Sequence, residues 1–138
     1  MRPNQTMPPS DTAPAERLLP LDGVRVLDLS TMLAGPYCAT VLGEFGAEVI
    51  KVELPGAGNT SRKFGTSTKS GSSFMWLSEQ RNKKCITLDL RTPRGRELAL
   101  QLAAKSDVIV ENFMPGTLEK WGLGPDALEA VNEDIILV

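Results

Sequence analysis

The sequence predicts an α/β fold: a Rossmann-like open, mostly parallel sheet with helices on both faces. Three observations lead there. Short strand-like runs alternate along the chain with helical stretches of about ten residues, the pattern of βαβ units. The runs are apolar almost throughout, as expected of strands covered on both sides. Several strand-to-helix junctions also carry residues that start helices.

The elements follow in order from Leu21. Val24-Arg25-Val26-Leu27-Asp28-Leu29 is a β-branched-rich run behind an Asp22-Gly23 turn and reads as a buried strand. Gly35-Pro36 opens a helix, with proline expected at its first position, where a missing N–H costs nothing. Ala39, Val41, Leu42 and Phe45 give that helix an apolar stripe, and Gly46 suits its end. Glu48 to Glu53 is the second strand. Residues 54–73 form a long loop rich in Gly, Ser, Thr and Lys, followed by one helical turn at Phe74-Met75-Trp76-Leu77. Lys84 to Leu90 is a third strand. Thr92-Pro93 pairs an N-cap with a proline at the first position and launches a helix with Leu98, Leu102 and Ala103 on one face. Val108 to Glu111 is a fourth strand, Pro125 to Val131 a short helix, and Ile135 to Val138 a fifth strand.

Composition bounds the function. The chain has 138 residues, a formal net charge of −2 and no histidine. Serine–histidine and cysteine–histidine catalysis, and zinc sites built on histidine, cannot be assembled from it. The near-neutral balance argues against a dedicated nucleic-acid binder, and no apolar run approaches the roughly 18 residues of a membrane span. Cys38 and Cys85, with no CxxC spacing, read as reduced core thiols of a cytoplasmic protein. Residues 1–20 hold five of the ten prolines and little apolar area, and are expected to form a disordered arm ahead of a domain over 21–138. The chain stops on an apolar strand with no polar tail, so it is expected to be a piece of a longer protein.

Ligands of open parallel sheets sit at the carboxyl ends of the strands. Four segments converge there: Ser30 to Pro36, Leu54 to Gly58, Leu90 to Thr92, and Asn112 to Gly116. The residue types in them suit plain βα turns equally well. Arg62, Lys63, Lys69, Arg81, Lys83 and Lys84, against the single acid Glu79 in that stretch, predict a local positive field suited to a phosphate-bearing ligand, or a solvated basic loop. Glu53 stands where a dinucleotide-binding acid would hold a ribose. The first turn, Ser-Thr-Met-Leu-Ala-Gly-Pro, nevertheless lacks the paired glycines of G-x-G-x-x-G, which disfavours NAD.

An ordered set of motifs resembles the opening of CaiB/BaiF family III CoA-transferases. It comprises Leu21 to Leu29, Leu33-Ala34-Gly35-Pro36, Gly46 to Glu53 with Pro55-Gly56-Ala57-Gly58, Asn82-Lys83-Lys84, Asp107 to Phe113 with Pro115-Gly116, and Gly122-Leu123-Gly124. The resemblance implies the N-terminal part of a CoA-binding Rossmann-like domain, and transfer of CoA from an acyl-CoA donor to a free carboxylic acid through an aspartyl nucleophile. That aspartate is implied to lie beyond this chain, so the chain alone is expected to be inactive, with Asp28, Glu53, Asp89, Asp107 and Glu111 structural. CoA contacts are implied at Leu33, Ala34, Leu54, Leu88, Asp89, Leu90, Arg91, Asn112, Phe113, Met114 and Lys120, with Arg91 and Lys120 facing phosphates. Leu54 departs from relatives with arginine there, a contact that Arg62 or Lys63 could take over. Leu33 replaces the glutamine of formyl-CoA transferases, and Thr31-Met32 gives racemase chemistry no support. The implied partners are acyl-CoA and a carboxylic acid, with no metal, no covalently bound cofactor, no nucleic acid and no membrane. The implied assembly is an interlocked homodimer of the full-length parent. The alternatives left open are a non-catalytic CoA- or nucleotide-binding module and, less favoured, a dinucleotide-binding domain.

Overall fold

The computed structural model describes residues 19–138. The expected arm therefore lies, through residue 18, outside the described residues. Leu19 and Pro20 belong to a turn in which the Asp22 carboxylate accepts the Leu19 N–H at 2.8 Å.

Five strands form one sheet: β1 (Arg25–Asp28), β2 (Glu48–Glu53), β3 (Lys83–Thr87), β4 (Val108–Val110) and β5 (Ile136–Leu137). Their order is β3-β2-β1-β4-β5 and every pairing is parallel. Such an order follows when two βαβ halves wind outward from a central first strand, and it opens a crevice where the winding reverses, between β1 and β4.

Helices cover both faces. α1 (Ala34–Glu44) packs on one side, where Val26, Ala39, Ala47, Val49 and Val110 form a core. α3 (Pro93–Ala103), α4 (Thr117–Lys120) and α5 (Pro125–Glu129) lie on the other side, over Leu27, Leu29, Val52, Ile109, Leu123 and Leu128. Alternate residues of β1 feed the two cores, the period-2 consequence of a pleated strand. A 3₁₀ turn (Thr60–Lys63) and α2 (Phe74–Glu79) interrupt the long loop after β2.

Three local expectations need correction. Pro36 is the third residue of α1, not the first: the helix begins at Ala34, and the proline still sits among N–H groups that lack an intrahelical partner. α3 buries Gly95, Ala99 and Ala103, with Leu98 and Leu102 at its margins, because small residues let the helix lie close to the sheet. Cys85 is exposed on the edge strand β3 and is not a core thiol. The start of α3 is as expected: Thr92 Oγ1 accepts the Gly95 N–H at 3.0 Å, and Pro93 opens the helix. The turn is so tight that a Cβ on Gly95 would lie 1.8 Å from the Asp89 carbonyl oxygen.

Candidate functional site

The carboxyl ends of the first four strands enclose a cleft of about 350 Å³. Leu29, Ser30 and Thr31 come from the end of β1, Val52 to Leu54 and Ala57 to Thr60 from the end of β2 and the loop after it, and Leu88, Leu90 and Arg91 from the segment after β3. Phe113, after β4, and Trp121, after α4, close it as an aromatic pair with ring centroids 5.1 Å apart in an edge-to-face arrangement. The lining is mainly apolar with a few polar groups, the usual make-up of a site for an organic ligand.

A buried charged group beside the cleft holds its Ser30 turn. Asp28, at the end of β1, is fully buried between two lysines, Lys51 and Lys83. Lys51 Nζ donates to Asp28 Oδ1 at 3.0 Å and also to the Ser30 carbonyl. Lys83 Nζ donates to Asp28 Oδ2 at 2.9 Å, to the Pro36 carbonyl at 2.6 Å and to Gln80 Oε1 at 2.8 Å. Burial pushes both ammonium groups below the ordinary lysine range, against the pull of Asp28.

A second pair ties the β2 loop down. Burial pushes the Glu53 carboxyl up, but Arg62 and the Asn59 amide outweigh it and hold the group below its usual range. Arg62 donates to both carboxylate oxygens, at 2.7 and 2.6 Å, and its guanidinium lies 3.5 Å from the Trp76 ring centroid. Both Glu53 carboxylate oxygens are thereby engaged within the protein, which disfavours a ribose-binding role for this acid.

Of the residues singled out in the sequence, Leu54, Leu88, Leu90, Arg91 and Phe113 line the cleft. Arg91 is gripped by Asp89 through two hydrogen bonds of 2.8 Å, which hold the Asp89 carboxyl below its ordinary range; the remaining guanidinium donors have no partner among the described residues. Asn112 stands at the rim. Its side chain accepts the Thr31 N–H at 2.7 Å and donates to the Thr31 carbonyl at 2.8 Å, clamping the turn after β1. Leu33, Ala34 and Lys120 are exposed outside the lining, and Met114 borders a separate hollow with Leu118 and Leu137. The positive field expected over 62–84 is largely cancelled. Arg62 pairs with Glu53, Arg81 with Glu44, Lys83 with Asp28 and Lys84 with Glu48, whose carboxyl is lowered to about 2 by hydrogen bonds from Lys84 and Arg25. Lining residues that went unforeseen include Asn59 and Thr60, set by the unexpected 3₁₀ turn, and Trp121, set by the unexpected α4. No group of three or more metal-ligating side chains occurs among the described residues, and no helix among them is long and apolar enough to cross a membrane.

Residues 21–138 match the sequence profile of CoA-transferase family III. The chain belongs to that family. It is 54% identical over 120 residues to the succinyl-CoA–L-malate CoA-transferase beta subunit of Chloroflexus aurantiacus, covering 87% of this chain and 30% of the relative. It is 46% identical over 121 residues to the succinyl-CoA:glutarate CoA-transferase of Mus musculus, covering 88% and 28%. A crystal structure of a CaiB/BaiF family protein from Brucella suis superposes with a TM-score of 0.81 at 40% identity, covering 88% of this chain and 33% of that one. The chain thus spans about a third of the length of the family III transferases it matches.

Proposed function

We propose that this chain forms the CoA-binding crest of an enzyme that moves CoA from an acyl-CoA donor to a free carboxylic acid. The observation that carries this reading is the cleft at the carboxyl ends of β1 to β4. Its apolar walls suit the pantetheine arm or adenine ring of CoA. Arg91, steadied by Asp89 at the rim with donors to spare, suits a phosphate. Asn112, Phe113 and Met114 follow β4 on the same edge, and Lys120 offers a second cation from α4. CoA is a substrate here and not a covalently held cofactor.

The relatives' names supply a substrate class: succinyl-CoA as donor and a dicarboxylic acid as acceptor, as in the malate and glutarate enzymes. The nucleophile is an aspartate outside residues 1–138, as the family resemblance implies, and the active form is a dimer. Met32, Leu33, Tyr37, Phe74 and Leu77 leave apolar surface exposed around α1 and α2, so the isolated 138-residue polypeptide is expected to associate.

Calorimetric titration of the full protein with CoA and with NAD tests the cleft. Saturable CoA binding without NAD binding is expected, and the reverse would overturn the assignment. A transfer assay from succinyl-CoA to dicarboxylic acids is expected to show turnover with the full protein and none with the 138-residue polypeptide.

A further inference from the structure

We propose that Lys51 is a positioning residue of the cleft: from below the sheet's carboxyl edge it fixes the Ser30–Thr31 turn that forms the cleft's first wall. The proposal rests on the CoA reading only for the identity of the ligand. Its geometric part stands by itself.

Three atoms of Ser30 are held by one buried pair. The Ser30 N–H donates to Asp28 Oδ1 at 3.0 Å, its hydroxyl donates to the same oxygen, and its carbonyl accepts from Lys51 Nζ. Asn112 then grips Thr31 from the side. The first turn of α1 presses on the same spot, since a Cβ on Gly35 would lie 2.5 Å from the Ser30 Cβ and 3.3 Å from the Asn112 Cγ. Met32 follows with φ of 64°, a left-handed conformation that a non-glycine residue keeps only where its surroundings impose it.

Stability alone does not call for an ammonium at this place. Lys51 is fully buried, Asp28 already has Lys83, and an apolar side chain of similar length would spare the desolvation of a second cation. What Lys51 adds is the bond to Ser30. Lys83, by contrast, reaches Pro36 in α1 and Gln80 beyond α2, and touches no residue of the cleft turn. The two lysines share one carboxylate but hold different parts of the fold.

Lys51→Met separates the roles, because it leaves Asp28 matched one-to-one by Lys83. In the full protein this variant is expected to melt no lower than wild type, to bind CoA about tenfold or more weakly, and to lose amide-exchange protection over residues 30–34. Val49→Ala, on the same face of β2 but within the apolar core, is expected to do the opposite: a lower melting temperature with CoA affinity and protection of 30–34 retained. The role is overturned if Lys51→Met keeps wild-type protection over 30–34, whether or not affinity falls, since a loss of affinity alone would make Lys51 a remote charge. If wild type itself fails to bind CoA, the ligand assignment falls, while the exchange measurement still decides the role of Lys51.

Discussion

Beneath α3, α4 and α5 the sheet buries Leu27, Ile109, Leu123 and Leu128, side chains that carry no charge and need no partner. Beneath α1 the same depth is only partly apolar, at Val26, Val49 and Val110. Among them it also holds Asp28 at the end of β1, Lys51 within β2 and the Lys83 side chain from the start of β3. The first region is a packing problem, in which contact and volume decide stability. The second is a pairing problem, in which each group is tolerable only because of the others. The charged group reaches the cleft through Ser30, in a turn that must be held in one conformation, and hydrogen bonds to fixed charges do that better than non-directional apolar contact.

Removing the shared carboxylate breaks this contrast most severely. Asp28→Asn strands two buried ammonium groups and is expected to cost on the order of 5 kcal/mol. Both lysines already titrate below their unfolded value. Each therefore releases its proton in the folded state first, and stability rises as pH climbs toward the unfolded value near 10.5. Denaturant melts of the variant should accordingly recover at alkaline pH. Ile109→Ala, in the apolar half, should cost about 3 kcal/mol through lost contact and a cavity, with the same deficit at every pH. A pH-dependent deficit for Ile109→Ala would mean that the two halves are coupled.

The smallest change concerns the loop clamp. Glu53→Gln removes a buried carboxylate from Arg62, for an expected loss of about 1–3 kcal/mol at neutral pH. The Glu53 carboxyl is held below its unfolded value, so its contribution is present above that value and fades as pH falls through the folded one. Melts of the Glu53→Gln variant should have a flatter acid limb than wild type, and an unchanged limb would remove Glu53 from the acid response.

The strands were legible because parallel strands covered on both faces are locally apolar, and Val24 to Leu29 or Val108 to Val110 need no distant information to be recognised. The opening of α3 was legible for the same reason, since Thr92, Pro93 and Gly95 form their cap among themselves. The buried charged group was not. Asp28 meets Lys51 and Lys83 across strands, at separations of 23 and 55 residues, so the register of β1, β2 and β3 has to be known first. The basic run from Arg62 to Lys84 looked unbalanced for that reason: its acids, Asp28, Glu44, Glu48 and Glu53, all lie outside the stretch. The cleft was half legible. Leu54, Leu88, Leu90, Arg91 and Phe113 sit on loops whose place follows from strand order, whereas Asn59 and Trp121 depend on short helical turns too small to leave a periodic signature.

The contact between Gly95 and the Asp89 carbonyl has a consequence for how this fold can diversify. The same few residues start α3 and present Arg91 to the cleft, so no side chain enters at position 95 without pushing Asp89, and with it the rim. A lineage could exchange the residues lining the cleft one at a time and so change its ligand. At position 95 it meets a fixed point, where any departure from glycine has to arrive together with a rebuilt turn. That glycine is thus a marker by which a rearranged rim could be recognised in a distant descendant before its structure is known.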